Sequence, residues 1–189
     1  LNGNKPQLLN LKQILEAFLE FREEVIRRRT EFDLSKARDR AHVLVGLAIA
    51  VANIDEVIAL IRGAKDPVEA RTGLMEREWQ AEDVTSLIEL IDDPNHSVVG
   101  GRYRLSEAQA RAILELRLQR LTGLEREKIA EELSGLASEI EDYLDILRSR
   151  DRIRSMMRDE MLTVKEQFAT PRRTTIEESE LETDIEDLI

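Results

Sequence analysis

LEREKIAEELSGLASEIEDYLDILRSRDRIRSMMRDEMLTVKEQF, residues 124–168, contains no proline, a single glycine, and apolar side chains returning every seven positions. One position of the repeat holds Leu133, Ile140, Leu147, Arg154, Met161 and Phe168. The other holds Ile129, Leu136, Tyr143, Arg150, Met157 and Val164. A strict seven-residue spacing marks a helix that lays one narrow seam against another helix, so a coiled coil is expected, interrupted only by Arg150 and Arg154. Thr122 and Glu125 form a capping pair around Gly123, which places the start of this helix near Leu124.

A seam needs a partner, and the partner lies at the other end of the chain. Asn10 and Gln13 form a plausible capping box ahead of a stretch, residues 11–52, with no proline and only Gly46 as glycine. Its apolar residues run Leu11, Ile14, Phe18, Phe21, Val25 and Phe32, then shift to Leu34, Ala37, Ala41, Leu44, Ala48 and Val51. The shift predicts a stutter, a bend or a change of partner around residues 29–33. At about 1.5 Å per residue the helix would be on the order of 60 Å long.

Residues 53–121 read as a set of short helices. Asp55 caps one over 56–62, and Asp66-Pro67 with Glu69 opens a second, with proline at its favoured first position. Residues 81–91 form a third; 92–104 form a loop rich in Asp, Pro, Asn and Gly; Ser106 and Gln109 cap a fourth that runs to about Leu121. The fold class that follows is all-α: a long antiparallel coiled-coil hairpin (residues 11–52 and 122–168) with a small helical head (53–121) at its tip.

Composition agrees. Charged residues make up 35% and aromatic residues 4%, with eight Gly and four Pro, which suits long helices over a thick core or a many-turned sheet. The absence of Cys excludes disulfides, thiol nucleophiles and Cys-based zinc sites. No run of about 18 apolar residues appears, so no membrane partner is expected. The net charge of −11 falls largely on seven acids after Thr174, which read as a solvated acidic linker over 169–189.

The chain offers little catalytic chemistry. It has no glycine-rich phosphate loop. His42 and His96 lack any ligand spacing, and the acidic pairs Glu23-Glu24 and Glu131-Glu132 read as solvated helix faces. Tyr103, just before a helix cap, reads as an aromatic anchor. Catalytic, cofactor-binding and metal-binding residues are therefore expected to be absent. Arg27, Arg28 and Arg29 are the candidate DNA-facing residues, within a stretch where most bases have an acid at helical spacing. On the helix after Ser106, Ala110, Ile113, Leu114, Leu118 and Leu121 form one apolar stripe, while Ala112 and Leu116 lie on another side. A helix apolar on two sides is covered twice, by the rest of the head or by a second copy of the chain.

The run from Tyr103-Arg104-Leu105-Ser106 through Leu116 to Leu121-Thr122-Gly123-Leu124-Glu125 resembles the exit-gate motif of bacterial type IIA topoisomerase A subunits. Its ending is closer to the gyrase branch than to the topoisomerase IV branch. Further matches are Arg28-Arg29-Thr30-Glu31-Phe32, Lys36-Ala37-Arg38-Asp39-Arg40-Ala41-His42-Val43-Leu44, Ala52-Asn53-Ile54-Asp55-Glu56-Val57-Ile58, and Gln167-Phe168 with Arg172-Arg173-Thr174, in the family's order. The resemblance implies a cytoplasmic bacterial protein in which residues 1–10 end a preceding tower domain. It implies a homodimer through the head, at Leu116 and Ala112 with Tyr103 and Leu105 flanking. It also implies a heterotetramer with an ATP-binding B subunit, double-stranded DNA as the passed partner, and Mg²⁺ and ATP bound elsewhere. The family's cleaving tyrosine lies in an Arg-Tyr-Thr motif, from which Arg102-Tyr103-Arg104 departs. A coiled-coil adaptor binding partners through its tip is the reading from a different class.

Overall fold

The structure, a computed structural model, describes residues 6–93, 96–116 and 123–175. Helix α1, Leu11–Ala52, starts on the expected capping box: Asn10 Oδ1 accepts from the Gln13 amide at 2.9 Å, and the Asn10 amide donates to Gln13 Oε1 at 3.0 Å. It runs through residues 29–33 as one continuous helix. The first stripe is left largely exposed, and the buried side begins at Ile26. Ile26, Thr30, Leu34, Ala37, Ala41 and Leu44, spaced three and four apart, face the core. Thr30 satisfies its buried hydroxyl by donating to the Ile26 carbonyl at 2.9 Å. Phe21 and Phe32 are exposed, with the Lys36 ammonium 4.4 Å above the Phe32 ring.

At Asn53 the chain turns by 91° into α2, Ile54–Gly63. Asp55 does not cap this helix. Asn53 occupies the cap position, and its side-chain amide points backward, donating to Ile49 O at 2.8 Å and Gln80 O at 3.1 Å. One side chain thereby fixes the corner. Helix α3, Pro67–Glu76, follows as expected, with Asp66 accepting from the Glu69 amide at 2.8 Å and proline in the first turn.

The head then departs from the all-helical expectation. Strands β1, Glu78–Gln80, and β2, Arg102–Arg104, pair antiparallel with Trp79 opposite Tyr103. Both aromatic rings point inward between exposed polar neighbours. Strands of three residues hold too little alternation to register as a periodic signal. Between them lie a 3-10 turn, Glu82–Val84, and α4, Thr85–Ile91. Helix α5, Glu107–Glu115, has the capping box expected of Ser106 and Gln109 but ends before Leu121; residues 117–122, and the cap assigned to Thr122, lie outside the described residues.

The C-terminal helix is two helices, α6 (Gly123–Arg148) and α7 (Arg150–Phe168). Ser149 leaves helical geometry and caps α7 by accepting from the Arg152 amide at 3.3 Å. The buried set changes at this break. Leu133 and Ile140 precede it, whereas Ile146, Ile153 and Met157 serve around and beyond it. Arg150 and Arg154 thus avoid the burial that an unbroken repeat would have imposed.

Contacts along the two long elements run in opposite sequence directions. Arg126 reaches Val51 O at 3.4 Å and Arg40 pairs with Glu132 at 2.7 Å. Glu23 takes both Arg150 at 2.8 Å and Arg154 at 3.0 Å, while Glu160 takes both Arg22 and Arg29 at 2.5 Å. Hydrogen bonds from Arg154 and Arg150 hold the Glu23 carboxyl below its ordinary range, and those from Arg29 and Arg22 do the same for Glu160. At the far end Leu11, Ile14, Phe18, Val164 and Phe168 are exposed, so the seam read from their spacing is not closed there by any described element. The core has two parts. A large one joins the head to the second half of α1 and to α6; a small one of Ile26, Ile146, Ile153 and Met157 lies where α1 meets the Ser149 break.

Candidate functional site

Helix α5 carries Ala112, with Leu116 at its C-cap, and is preceded directly by Tyr103 and Leu105. Its inner side buries Ala110 and Ile113. Gln109, four residues before Ile113 and so about 40° from it on the helix, is 0% exposed because α1 covers it. The cover is possible because Gly46 has no side chain: a β-carbon there would lie 2.6 Å from Gln109 Cβ and Cγ. Packed against Gly46, Gln109 uses every polar atom of its amide. Oε1 accepts from the Ser106 amide at 2.9 Å; Nε2 donates to His42 O at 2.7 Å and to the Tyr103 hydroxyl at 3.1 Å. The sequence pattern marks Gln109 only as a capping residue. The signal for its second role is a lone glycine inside a long, otherwise regular helix.

Tyr103 and Leu105 are buried in the chain's own core, each 2% exposed. There they hold the head together. Burial pushes the Tyr103 phenol up to about 12. A buried phenol of that kind makes a poor nucleophile.

Ala112 and Leu116 remain half-buried. Leu116 sits at the C-cap of α5 in extended conformation and, with Leu114 and Ile113, faces Ile54, Ile58 and Ile61 of α2 across a cavity of about 170 Å³. A larger cavity of about 660 Å³, unforeseen from sequence, lies between the end of α1, the 3-10 turn and α6, floored by Ile49, Ile129 and Leu133 with Arg126 beside them. The arginine triplet divides. Arg28 is bound by Glu24 and Arg29 by Glu160, both at 2.5 Å, while Arg27 is exposed with no carboxylate partner among the described residues. Among the described residues, no group of three or more His, Asp or Glu is arranged to hold a metal ion.

Residues 1–162 match the family model for the A subunits of DNA gyrase and topoisomerase IV. The chain belongs to this family. It is similar to the DNA gyrase A subunit of Rickettsia bellii, 50% identical over 189 residues, covering the whole chain and 21% of that protein. It is likewise similar to the DNA gyrase A subunit of Granulibacter bethesdensis (52% over 190 residues, the whole chain and 20% of the relative). That of Aeromonas salmonicida is 46% identical over 198 residues, covering the whole chain and 22% of the relative. The chain thus spans about a fifth of the length of these gyrase A subunits. Among its described residues no single helix is long and apolar enough to cross a membrane.

Proposed function

We propose that this segment is the exit gate of a gyrase A subunit. In this reading α1 and the α6–α7 pair form an antiparallel coiled-coil arm, and the head they carry meets the head of a second copy. The whole protein would be the A component of an ATP-dependent type IIA topoisomerase that negatively supercoils DNA by passing one duplex through another. It would form a heterotetramer with the ATP-binding B component in the bacterial cytoplasm. Cleavage belongs to a tyrosine outside this segment, and ATP and Mg²⁺ bind elsewhere in the complex. The buried, neutral phenol of Tyr103 supports keeping it out of the chemistry. The same segment of topoisomerase IV would be built alike.

The observation that carries the gate is the outer groove of the head. Leu116, half-exposed at the end of α5, lies beside Ile54, Ile58 and Ile61, and Ala112 is half-exposed one turn before it. Identical chains most often close through one self-complementary patch about a two-fold axis, and a patch on the head lets the arms keep their own packing. Arg27 then faces outward on the arm, where a passing duplex would meet it; Arg28 and Arg29 are occupied by Glu24 and Glu160.

Leu116→Asp places an unpaired carboxylate in that contact. It is expected to weaken the dimer by at least about a hundredfold, with helical circular dichroism near wild type. Leu114→Asp, deeper in the groove, should damage the head's own fold. Sedimentation at low micromolar concentration checks both; a fully dimeric Leu116→Asp would remove the groove from the interface.

A further inference from the structure

His42 stands where the long helix α1, the loop after α4 and the N-cap of α5 come together. Its Nε2 is 2.7 Å from Ser106 Oγ, and its Nδ1 is 3.6 Å from Asp93 Oδ2. The His96 ring centre lies 5.6 Å from that of His42 and 6.2 Å from that of Tyr103. Ser106 starts α5: its hydroxyl oxygen accepts from the Gln109 amide at 3.2 Å, and Gln109 in turn donates to the carbonyl of His42 itself. One imidazole therefore touches the cap of α5, and one glutamine ties α5 back to the peptide group bearing that imidazole. We infer that His42 is a proton-sensitive pin: the neutral ring holds the α5 cap against α1, and protonation of the ring releases it.

The arrangement suits a neutral ring that accepts the Ser106 hydroxyl proton at Nε2 and keeps its own proton on Nδ1, toward Asp93. A second proton, on Nε2, removes that acceptor. The Ser106 hydroxyl, already accepting from the Gln109 amide, must then turn to a new partner or lose its bond. The groups around His42 pull both ways. Burial opposes the charge most strongly and His96 opposes it further; Asp93, and Asp39 on α1 itself, favour it. Arg38 and Asp92, which border the same recess, lie 3.9 Å apart and offset each other. The Tyr103 phenol stays neutral throughout. The balance sets the His42 pKa below its ordinary 6.5. The folded chain thus binds fewer protons than the unfolded one, so stability is complete above 6.5 and declines as pH falls below it toward the folded pKa.

The test follows the 189-residue chain by NMR from about pH 7.5 to about pH 5, reading the His42 ring nitrogens and the exchange of backbone amides corrected for intrinsic rates. The His42 midpoint is expected below 6.5. Protection of the Gln109 and Ala110 amides should fall about tenfold through that midpoint while α6 amides stay unchanged. In His42→Gln, which keeps a polar group beside Ser106 but cannot titrate, α5 protection should be flat with pH. In His96→Gln the His42 midpoint should rise. A midpoint at or above 6.5 overturns the inference. So does α5 protection that ignores the midpoint, or an acid-induced loss that persists in folded His42→Gln. If His42→Gln does not fold, the co-titration of ring and α5 amides in the wild-type chain decides alone.

Discussion

Replacing Trp79 by alanine is expected to destabilise the chain more than any other single truncation in the head, by about 3–5 kcal/mol. Trp79 is 1% exposed, the largest of the fully buried side chains, and its indole N–H donates to Leu74 O at 2.9 Å. Truncation opens a void between α3, β1 and β2. It also leaves the Leu74 carbonyl without its side-chain donor, a smaller penalty of roughly 1 kcal/mol. Trp79→Phe keeps much of the volume and loses the donor, so it should fall between wild type and alanine. The Arg77 guanidinium, centred 5.0 Å from the indole, loses its aromatic platform in Trp79→Ala only. Urea midpoints of the three chains give the order. Equal stability of Trp79→Ala and wild type would mean that the head contributes nothing to the folding of the chain.

Gly46→Ala should be the second large effect, and its sign is informative. Alanine is the better helix former by about 0.5–1 kcal/mol, which alone would stabilise α1. The new methyl, however, would lie 2.6 Å from two Gln109 carbons, and Gln109 cannot retreat because its amide is bound on every side. Overpacking of this kind costs about 1–3 kcal/mol. Breaking a buried amide's bonds adds about 1–3 kcal/mol more. A net loss of about 1–5 kcal/mol is therefore expected. Gly135→Ala in α6 is the control: nothing lies within 4 Å of its added methyl, so it should stabilise by about 0.5–1 kcal/mol. Thermal or urea melts of the pair should move in opposite directions. Two stabilising substitutions would show that the contact with Gln109 yields freely.

Much of this architecture is legible in the sequence because its signals are local. Asn10 with Gln13, Asp66 with Pro67, and Ser106 with Gln109 each announce a helix start within three residues, and each cap forms. The length of α1, and the far end of α7, follow from missing proline and repeated apolar positions. What was not legible depends on contacts distant along the chain. Trp79 and Tyr103 pair across a hairpin of three-residue strands, each flanked by polar residues that carry no strand signal. Ser149 breaks a run that periodicity would continue, because an intact helix would turn Arg150 and Arg154 inward, whereas the break frees both for Glu23. At the candidate interface, an apolar label alone could not separate Leu105, which the chain buries for itself, from Leu116, which it leaves half-open.

The doubled carboxylates of the arm have a mechanical consequence. Glu23 is shared by two arginines four residues apart and Glu160 by two arginines seven residues apart, one or two turns along the facing helix. A single ion pair permits sliding, since a long side chain can follow its partner for several ångströms. A carboxylate straddled by two anchors cannot: travel toward one stretches the bond to the other. The arm therefore resists shear along its length at these two stations, while rotation about the line joining them strains neither. Added salt would soften that resistance before it unfolded the helices, since the clamps are exposed to screening and the buried leucines and isoleucines are not.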